Sequence, residues 1–398
     1  MHEVVIVAAK RTPIGSFNGV FASLPAVRLG AAAIKGVLEQ AQAAPADVCE
    51  VLMGMVLQGG AGQAPARQAA IYAGIPHSVG CTTVHKVCGS GLKSVMLAAQ
   101  AIRLGDSDTV IAGGMESMTN APYYLFQARQ GYRMGDGKLV DGMVFDGLWD
   151  PYGDMHMGMC GEICAAEMKI TRGQQDEFTM LSYQRALEAM KAGKFTAEIA
   201  PVGIPQKGGD PLLVSEDEEP KKVKFDKIPT LKPAFKKDGT ITAANASKIN
   251  DGAAALILMS TEEAKKRGLK PLAKVHGYGC FAQAPEWFTT APAEAIRKAV
   301  AKTIKADGKP LTIEDVDLFE INEAFAVVAL ANIQLLSISA DKVNVNGGAV
   351  ALGHPIGASG ARILTTLIYA LADRNKKWGV AGICLGGGEA VAVVVERL

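Results

Sequence analysis

The sequence lacks several features that would place the protein in a specialised class. Its 398 residues carry 41 Lys and Arg against 40 Asp and Glu, a net charge of +1, so no global field favours a nucleic acid or a membrane surface as partner. No apolar run approaches the roughly 20 residues of a membrane span. Seven cysteines, an odd number in mostly apolar surroundings, argue against a disulfide framework. No signal or transit pattern precedes the first strand. We therefore expect a soluble cytoplasmic protein, unless an organellar presequence was removed.

What is present is an α/β pattern that occurs twice. At this length two or more domains are expected. Strand-like and helix-like segments alternate from residue 4 to 113, which predicts a mostly parallel sheet covered by helices, and the same order returns from 272 to 384. Two pairs of dipeptides, 90–91 with 112–113 and 359–360 with 381–382, repeat at an offset of 269 residues. We infer a duplicated unit with a site between its two halves.

Residues 120–246 fit neither half and are predicted to be an inserted loop domain with one good helix from 174 to 192. The predicted division is therefore 1–119 with 247–270 as the first half, 120–246 as the loop domain for substrate binding and oligomer contacts, and 271–398 as the second half. Acidic residues 216–219 are followed by several lysines. This charged stretch is either a solvated surface, the more common case, or a basic rim for a phosphorylated ligand.

Cys88 stands between a strand-like segment, 82–87, and a helix-like segment, 92–104, and is followed by Gly-Ser-Gly. A sharp strand-to-helix turn presents a nucleophile at its apex. A thiol at a helix N-terminus also has its thiolate stabilised by free N–H groups. A catalytic cysteine is therefore predicted here, and the alternative is a buried apolar cysteine.

Three further loops carry groups suited to chemistry. His354 lies in the glycine-rich loop 347–360, in the place that corresponds to the Cys88 turn in the repeat, and could act as a base. Cys384 opens the glycine loop 384–388, whose N–H groups could bind an oxyanion. Asn322 follows a buried strand where a sheet normally offers its ligand site. Taken singly, each is also explained as an ordinary turn or a structural side chain.

Together these segments resemble the four motifs of the thiolase family: VCGSG at 87–91, NEAF at 322–325, GHPIG at 353–357 and CLGGG at 384–388. RTPIG at 11–15, GMESM at 114–118 and NAS at 245–247 also match, so that the similarity covers essentially the whole chain. The resemblance is to the short-chain, acetoacetyl-CoA-forming subgroup. It implies a duplicated thiolase-like fold: two similar βαβαβ-type halves with mixed sheets covered by helices, in α-β-α-β-α layers, plus the inserted loop domain.

The resemblance also implies roles for five residues. Cys88 would take the acyl group, His354 would activate it, and Cys384 would be the acid/base. Asn322 would hold a water that forms one oxyanion hole with His354, and the N–H groups of Cys88 and Gly386 would form the other. The implied reaction is the reversible Claisen condensation of two acetyl-CoA to acetoacetyl-CoA and CoA, without a required metal or redox cofactor, in a homotetramer built as a dimer of dimers.

Substrate contacts are implied less directly. His156 and Met157 would crowd the acyl pocket, Ser247 would contact the pantetheine of CoA, and Lys221 would lie near the nucleotide phosphates. The remaining predicted substrate-binding residues are Leu148, Ala246 and Phe325. A rival interpretation makes His156, with the cysteines four and eight residues later, a set of metal ligands, although no fourth ligand is evident.

Some positions depart from the family pattern. His85 stands where many relatives have Asn, Lys248 replaces a common Gly, and residues 283–290 are more typical of the eukaryotic cytosolic type. Tolerance of branched substrates and use of a monovalent cation are therefore left open. The alternatives in function are a degradative 3-ketoacyl-CoA thiolase of broader chain length, a ketoacyl synthase, and a non-catalytic acyl-CoA-binding homologue.

Overall fold

The computed structural model describes residues 2–398. The strands are β1 (Val4–Arg11), β2 (Gly15–Ser16), β3 (Glu50–Gly54), β4 (Gly80–Val84), β5 (Thr109–Ser117), β6 (Tyr123–Tyr124), β7 (Val140–Asp141), β8 (Trp149–Asp150), β9 (Met155–His156), β10 (Val202–Ile204), β11 (Leu212–Val214), β12 (Asn250–Ser260), β13 (Ala273–Ala282), β14 (Leu318–Ile321), β15 (Trp378–Leu385) and β16 (Glu389–Arg397). The α-helices are α1 (Ala26–Ala41), α2 (Pro65–Tyr72), α3 (Ser90–Leu104), α4 (Met157–Glu167), α5 (Arg172–Lys191), α6 (Thr261–Lys266), α7 (Ala291–Ala301), α8 (Ala326–Leu336), α9 (Ala349–Leu352) and α10 (Ile356–Asp373).

The main sheet is mixed, with the strand order β14-β15-β16-β13-β1-β12-β5-β3-β4 and β2 attached to β12. Strands β3, β4 and β5 run parallel to one another, as do β14 and β15, while the other pairs are antiparallel. The prediction of a mostly parallel sheet was therefore wrong. Its physical reason is visible at β15 and β16, which a tight glycine turn joins as a hairpin without a crossover helix.

Helices cover this sheet in separate layers. Helices α1 and α2 pack on one face of the strands of the first half, and α7 packs on the outer face of the second half. Helices α3 and α10 lie between the two halves and share one apolar core with strands from both. Strand β1 pairs with β13 through Val4–Ile6, which joins the two halves edge to edge. The layered, duplicated architecture that the resemblance implied is confirmed.

The two central helices approach each other closely through a pair of glycines. A Cβ atom on Gly91 of α3 would lie 2.9 Å from the backbone nitrogen of Ala361, and one on Gly360 of α10 would lie 2.5 Å from that of Leu92. Gly91 and Gly360 occupy equivalent positions in the repeat. No larger residue fits either place, and the contact brings the N-termini of both helices to one point between the halves.

The alternating pattern from 272 to 384 also predicts a strand at 343–346, and this strand is not formed. Val343 makes only an isolated bridge to Phe319. The next residue, Asn344, has a φ of 47°, which ends extended pairing. Its side chain replaces the strand, because Oδ1 accepts from the Ile321 backbone N–H at 2.9 Å and Nδ2 donates to the Ile321 carbonyl at 2.8 Å.

The inserted residues carry three small hairpins, β6–β7, β8–β9 and β10–β11, and the helices α4 and α5. The predicted helix 174–192 is confirmed as α5, which begins after a Thr171–Gln174 capping box. Its buried face packs on α8 and α9 of the second half.

The acidic run 216–219 is only partly the solvated surface that was expected. Asp217 is fully buried and accepts two hydrogen bonds from Arg11, at 2.7 and 2.9 Å. Glu218 accepts from the backbone of Ser16 and of Val20. Only the outer members of the run face water, so the segment is tied down by its acidic side chains.

Candidate active site

Cys88 sits at a tight turn between β4 and α3, as the sequence predicted. Val87 has a φ of 41°, a strained value for a β-branched residue. Ser90 holds this conformation, because its Oγ donates to the Val87 carbonyl at 2.6 Å and accepts from the Lys86 N–H at 2.9 Å. His85 is exposed, and its Nδ1 accepts from the Val87 N–H at 3.4 Å. The turn therefore fixes where the thiol points.

His354 is buried in the loop before α10, and three contacts set its orientation. Its backbone N–H donates to Asn250 Oδ1 at 2.9 Å. Its Nδ1 lies 2.6 Å from the hydroxyl of Ser359, which itself donates to the Pro355 carbonyl at 2.9 Å. Since that hydroxyl has one hydrogen, the network assigns it as acceptor from Nδ1–H. The other ring nitrogen, Nε2, is then unprotonated and able to accept a proton.

Asn322 lies behind this histidine, with its Nδ2 3.5 Å from His354 Nδ1. Within residues 2–398, neither Asn322 Oδ1 nor His354 Nε2 has a hydrogen-bond partner, although both atoms are buried. Buried polar atoms are normally paired, so these two point to a polar ligand at this place.

Cys384 is the penultimate residue of β15 and is buried, and the hairpin turn Gly386, Gly387 and Gly388 follows the strand. Gly387 and Gly388 have φ values of 87° and 80°, which glycine adopts without strain. The backbone N–H groups of Gly386 and Cys88 both favour the thiolate of Cys88. Two N–H groups from opposite halves thus converge on one sulfur, which is the arrangement an oxyanion hole requires.

Cys88, His354, Cys384 and Gly386 open into one cavity of about 260 Å³, whereas the predicted site residue Asn322 lies behind His354 and does not line it. The cavity brings together ten predicted site residues: Cys88, Leu148, His156, Met157, Ala246, Ser247, Phe325, His354, Cys384 and Gly386. Side chains that the sequence analysis did not assign complete the wall: Met118, Phe235, Lys248, Ile249, Phe288 and Ile356. The signal for these was weak, because apolar residues on loops carry no periodic pattern.

The reacting groups are held neutral. Burial raises the pKa of Cys88 to about 12, opposed by the two N–H groups and assisted by the Glu116 carboxylate. Burial, together with the neighbouring Cys88, raises the pKa of Cys384 well above its ordinary value. Burial lowers the pKa of His354 to about 3, and the charge of Arg362 acts in the same direction. Two thiols and a neutral imidazole therefore face the cavity at pH 7.

Glu116 organises the site from behind, a role that sequence reasoning missed. Its carboxylate accepts from the backbone N–H groups of Val56, Leu57 and Gly357 at 2.9–3.1 Å. Burial raises its pKa to about 7. It links the end of β5 to the start of α10, and therefore couples the nucleophile's half to the loop that carries His354.

His156 caps α4 by accepting from the Gly158 N–H at 3.0 Å, and it stacks on Phe235 with centroids 4.7 Å apart. Cys160 and Cys164 lie in the apolar core below. Among residues 2–398, no group of three or more His, Cys, Asp or Glu side chains is arranged to hold a metal ion. The metal-ligand interpretation thus finds no support in the geometry.

The remaining predicted substrate residues are placed unequally. Ala246 bridges to Phe325, and the Ser247 N–H donates to the Ala324 carbonyl at 3.0 Å, so this turn is fixed beside the cavity. Lys221 does not line the cavity; it is exposed and pairs with Glu216. A contact between Lys221 and a nucleotide phosphate stays a prediction.

Comparisons with known proteins agree with this geometry. A family model described as "Thiolase, N-terminal domain" matches residues 4–262, and one described as "Thiolase, C-terminal domain" matches residues 269–397. The chain belongs to the thiolase family. As a thiolase it is 56% identical to acetyl-CoA acetyltransferase 2 of Arabidopsis thaliana, over 100% of this chain and 98% of that protein. It is 54% identical to an acetyl-CoA acetyltransferase of Chromobacterium violaceum, over 99% of this chain and 100% of the relative. Identity to the Schizosaccharomyces pombe acetyl-CoA acetyltransferase is 52%, over 100% of this chain and 99% of the relative.

Proposed function

We propose that this thiolase is an acetyl-CoA C-acetyltransferase, an acyltransferase that reversibly condenses two acetyl-CoA into acetoacetyl-CoA and CoA. The observation that carries the proposal is the meeting of two thiols and one imidazole, Cys88, Cys384 and His354, in a single cavity. The full-length relatives named acetyl-CoA acetyltransferase support the same activity. We propose that no metal or redox cofactor is required, since the two thiols and the imidazole suffice for the proton transfers.

In the first half-reaction His354 Nε2 takes the proton of Cys88 as the sulfur attacks the thioester carbonyl of acetyl-CoA. The C–S bond to CoA breaks and Cys384 gives its proton to the departing CoA sulfur, which leaves acetyl-Cys88, a Cys384 thiolate and a protonated His354. The N–H groups of Cys88 and Gly386 stabilise the oxyanion of this step. Because the thiol and imidazole are both neutral beforehand, no buried charge has to be maintained in the unliganded site.

In the second half-reaction Cys384 removes the α-proton of a second acetyl-CoA, and the resulting enolate attacks the acetyl group on Cys88. A carbon–carbon bond forms and the Cys88–carbonyl bond breaks, while His354 returns its proton to the sulfur of Cys88 and Cys384 keeps the α-proton as its thiol. Asn322 and His354 support the enolate oxygen, Asn322 through a bound water. Two sulfurs are needed because the acyl carrier and the base act at the same time.

A short acyl chain is proposed because the cavity is small. Its volume of about 260 Å³ lies just below the usual range for ligand pockets, roughly 300–1,000 Å³. Met157 and Phe288 narrow it, as does Leu148 on the loop side. A broader degradative thiolase is the competing function, and a relative from Staphylococcus epidermidis, 50% identical, is named a probable acetyl-CoA acyltransferase.

Thiolysis and mass spectrometry test the proposal. The protein should cleave acetoacetyl-CoA with CoA, and acetyl-CoA alone should add one acetyl group at Cys88. Cys88→Ser should lose nearly all turnover. Cys384→Ala should still be acetylated but should not condense. Unimpaired condensation by Cys384→Ala would reject the role of the second thiol. A faster rate on 3-oxo-C8 substrates than on acetoacetyl-CoA would favour the degradative function. The absence of an adduct at Cys88 would indicate a binding protein.

We further propose a homotetramer, a dimer of dimers, acting in lipid metabolism in the cytoplasm. The loop between β6 and β7 exposes large apolar side chains, among them Phe126 at 60% and Met134 at 99%, which favours an oligomer contact. Strand β4 is an exposed sheet edge, which a second chain could pair with. All seven cysteines are free, as is common in reducing compartments. Among residues 2–398, no helix is both long and apolar enough to cross a membrane.

A further inference from the structure

The lysine that departs from the family pattern lies at the rim of the cavity and is aimed at main-chain oxygens. Lys248 is half-buried, directly after Ser247. Its Nζ donates to the carbonyl oxygens of Ala243 at 2.7 Å, Ala244 at 3.0 Å and Ala246 at 3.0 Å. All three ammonium hydrogens are therefore satisfied by one short turn.

The Lys248 ammonium contacts carbonyl oxygens and forms no ion pair. Among the side chains of residues 2–398, no carboxylate lies within ion-pair distance of Lys248. The ring of Tyr183 lies 5.9 Å away and adds a weak cation–π contact. Burial lowers the pKa of Lys248 to about 8, and the charge of Glu219 opposes this, so the group is mainly protonated at pH 7.

Three carbonyl oxygens of the turn converge on one point, the position of Lys248 Nζ. Carbonyl dipoles aimed at one centre repel each other unless a cation lies between them, and such oxygen cages can replace the hydration shell of K⁺. The Nζ–oxygen distances of 2.7–3.0 Å are ordinary hydrogen-bond lengths, longer than the metal–oxygen distances of Ca²⁺ sites, roughly 2.3–2.6 Å, and of Mg²⁺ sites, roughly 2.0–2.1 Å. The cage therefore fits a large monovalent cation, and a primary ammonium meets the same requirement.

We propose that the ammonium group of Lys248 takes the place of a bound monovalent cation. It stabilises the turn 243–247 and thereby positions Ser247 and Ala246 at the cavity. The turn is anchored on its other side by the Ala246–Phe325 bridge and by the bond from Ser247 N–H to the Ala324 carbonyl. The lysine thus makes the enzyme independent of dissolved K⁺. It is a positioning residue, and only the kinetic part of its test rests on the proposed function.

The kinetic test compares potassium chloride with choline chloride at equal ionic strength. The wild-type protein should show the same KM for CoA in both salts. Lys248→Ala opens the cage, so its KM in choline should rise roughly tenfold, the loss of one charge-assisted contact, with little change in kcat. Potassium should restore that KM to within about twofold of the wild-type value.

Lys248→Met provides the matched control, because its side chain fills the space without a charge. It should be impaired as Lys248→Ala is, but potassium should not rescue it. Thermal unfolding without substrate gives a second readout: potassium should raise the Tm of Lys248→Ala and leave the wild-type and Lys248→Met values unchanged relative to choline.

Three results would overturn the proposal: a wild-type KM that depends on K⁺, a normal KM for Lys248→Ala in choline, or a Lys248→Ala protein whose KM and Tm both ignore potassium. If the wild-type protein shows no thiolysis at all, the proposed function fails instead. The comparison of Tm values would then still decide the role of Lys248.

Discussion

One ring nitrogen of His354, Nε2, faces the cavity, and the other, Nδ1, is hydrogen-bonded to Ser359. The hydroxyl of Ser359 lies 2.6 Å from Nδ1 and donates a hydrogen bond to the Pro355 carbonyl. This contact selects the tautomer in which Nε2 is free to accept the thiol proton of Cys88. A histidine serves as a base only when the tautomer is right, so a residue that touches no substrate influences the rate.

We expect Ser359→Ala to lower kcat by roughly ten- to a hundredfold, because the imidazole loses the acceptor that fixes its tautomer. The KM for acetoacetyl-CoA should stay close to the wild-type value, since Ser359 does not line the cavity. Steady-state thiolysis measures both constants. Ser359→Thr, which keeps a hydroxyl, is the control and should retain more activity. An unchanged kcat in the alanine variant would show that other contacts orient His354.

The neutral state of the thiol also gives an expected pH dependence. Since the pKa of Cys88 is raised to about 12, the reactive thiolate is a small fraction at pH 7 and grows with pH. Alkylation of Cys88 by iodoacetamide should accelerate about tenfold per pH unit between pH 7 and 9. Mass spectrometry of the modified peptide follows the rate, and Cys88→Ser corrects for other cysteines. A plateau above pH 6 would mean that a thiolate–imidazolium pair is already formed.

At the scale of elements, the site depends on how α3 and α10 meet. Cys88 lies two residues before α3 and His354 two residues before α10, so the separation of the two helices sets the separation of the proposed nucleophile and base. Gly91 and Gly360 permit the contact because each faces the backbone of the opposite helix. Helix packing normally keeps axes 8–10 Å apart, and small residues at the crossing allow the closest approach.

Helix propensity alone predicts that Gly360→Ala stabilises α10. We expect the opposite, a loss of stability and activity. The added Cβ would meet the Leu92 nitrogen at 2.5 Å and push α3 away from α10. We expect a destabilisation of about 1–3 kcal/mol, typical of overpacking, with a fall in kcat. Chemical denaturation and thiolysis measure the two effects. Gly173→Ala is the control: it lies in α5 with only Thr171 near its Cβ, and should be neutral or slightly stabilising. Equal behaviour of the two variants would contradict the role of the crossing.

At the scale of the whole molecule, a buried charge cluster joins three parts of the chain. Arg11 of β1 donates to Glu198 at 2.5 Å and to Asp217 at 2.7 and 2.9 Å, and both carboxylates belong to the inserted segment. Thr366 of α10 donates to Glu198 at 3.1 Å. The first half contributes the guanidinium, whose fork suits two carboxylates, and the insertion contributes both carboxylates. The second half reaches this cluster through the Thr366–Glu198 hydrogen bond.

We expect Arg11→Met to destabilise the fold by about 3–5 kcal/mol, because Glu198 and Asp217 would be left buried without their cation. Urea unfolding of the purified protein measures this. Arg11→Met combined with Asp217→Asn should recover part of the loss, since one of the two stranded charges is removed. If the double variant is as unstable as the sum of the single variants, the two residues do not interact.

Much of this arrangement was predictable because periodicity and motif spacing report local structure. The strand before Cys88, the helix after it and the repeat that places His354 opposite were all read from sequence, and α5 was found by its pattern. The antiparallel direction of β12 and β16 was not predicted, because the direction of a strand depends on which sheet edge it pairs with. The burial of Asp217 was missed for a similar reason: its partner, Arg11, lies about two hundred residues away.

Fine positioning was the least predictable part of the site. Glu116 lay inside a quoted motif and Ser359 inside the glycine-rich loop 347–360, yet only coordinates show which backbone or ring nitrogen each one contacts. The three carbonyls around Lys248 belong to a turn whose shape no propensity specifies. Long-range hydrogen bonds are set by tertiary packing, which a local pattern does not encode.

The two repeats contribute different groups to the site, and these groups meet where α3 crosses α10. The first copy contributes Cys88, the sulfur proposed to carry the acyl group, and the second contributes His354 and Cys384, the proposed proton-abstracting sulfur. Neither repeat contains all the proposed catalytic residues, so the proposed reaction requires the interface between the two repeats. Fusion into one polypeptide keeps the two complementary contributions in fixed stoichiometry, and each copy was free to specialise for one partial task.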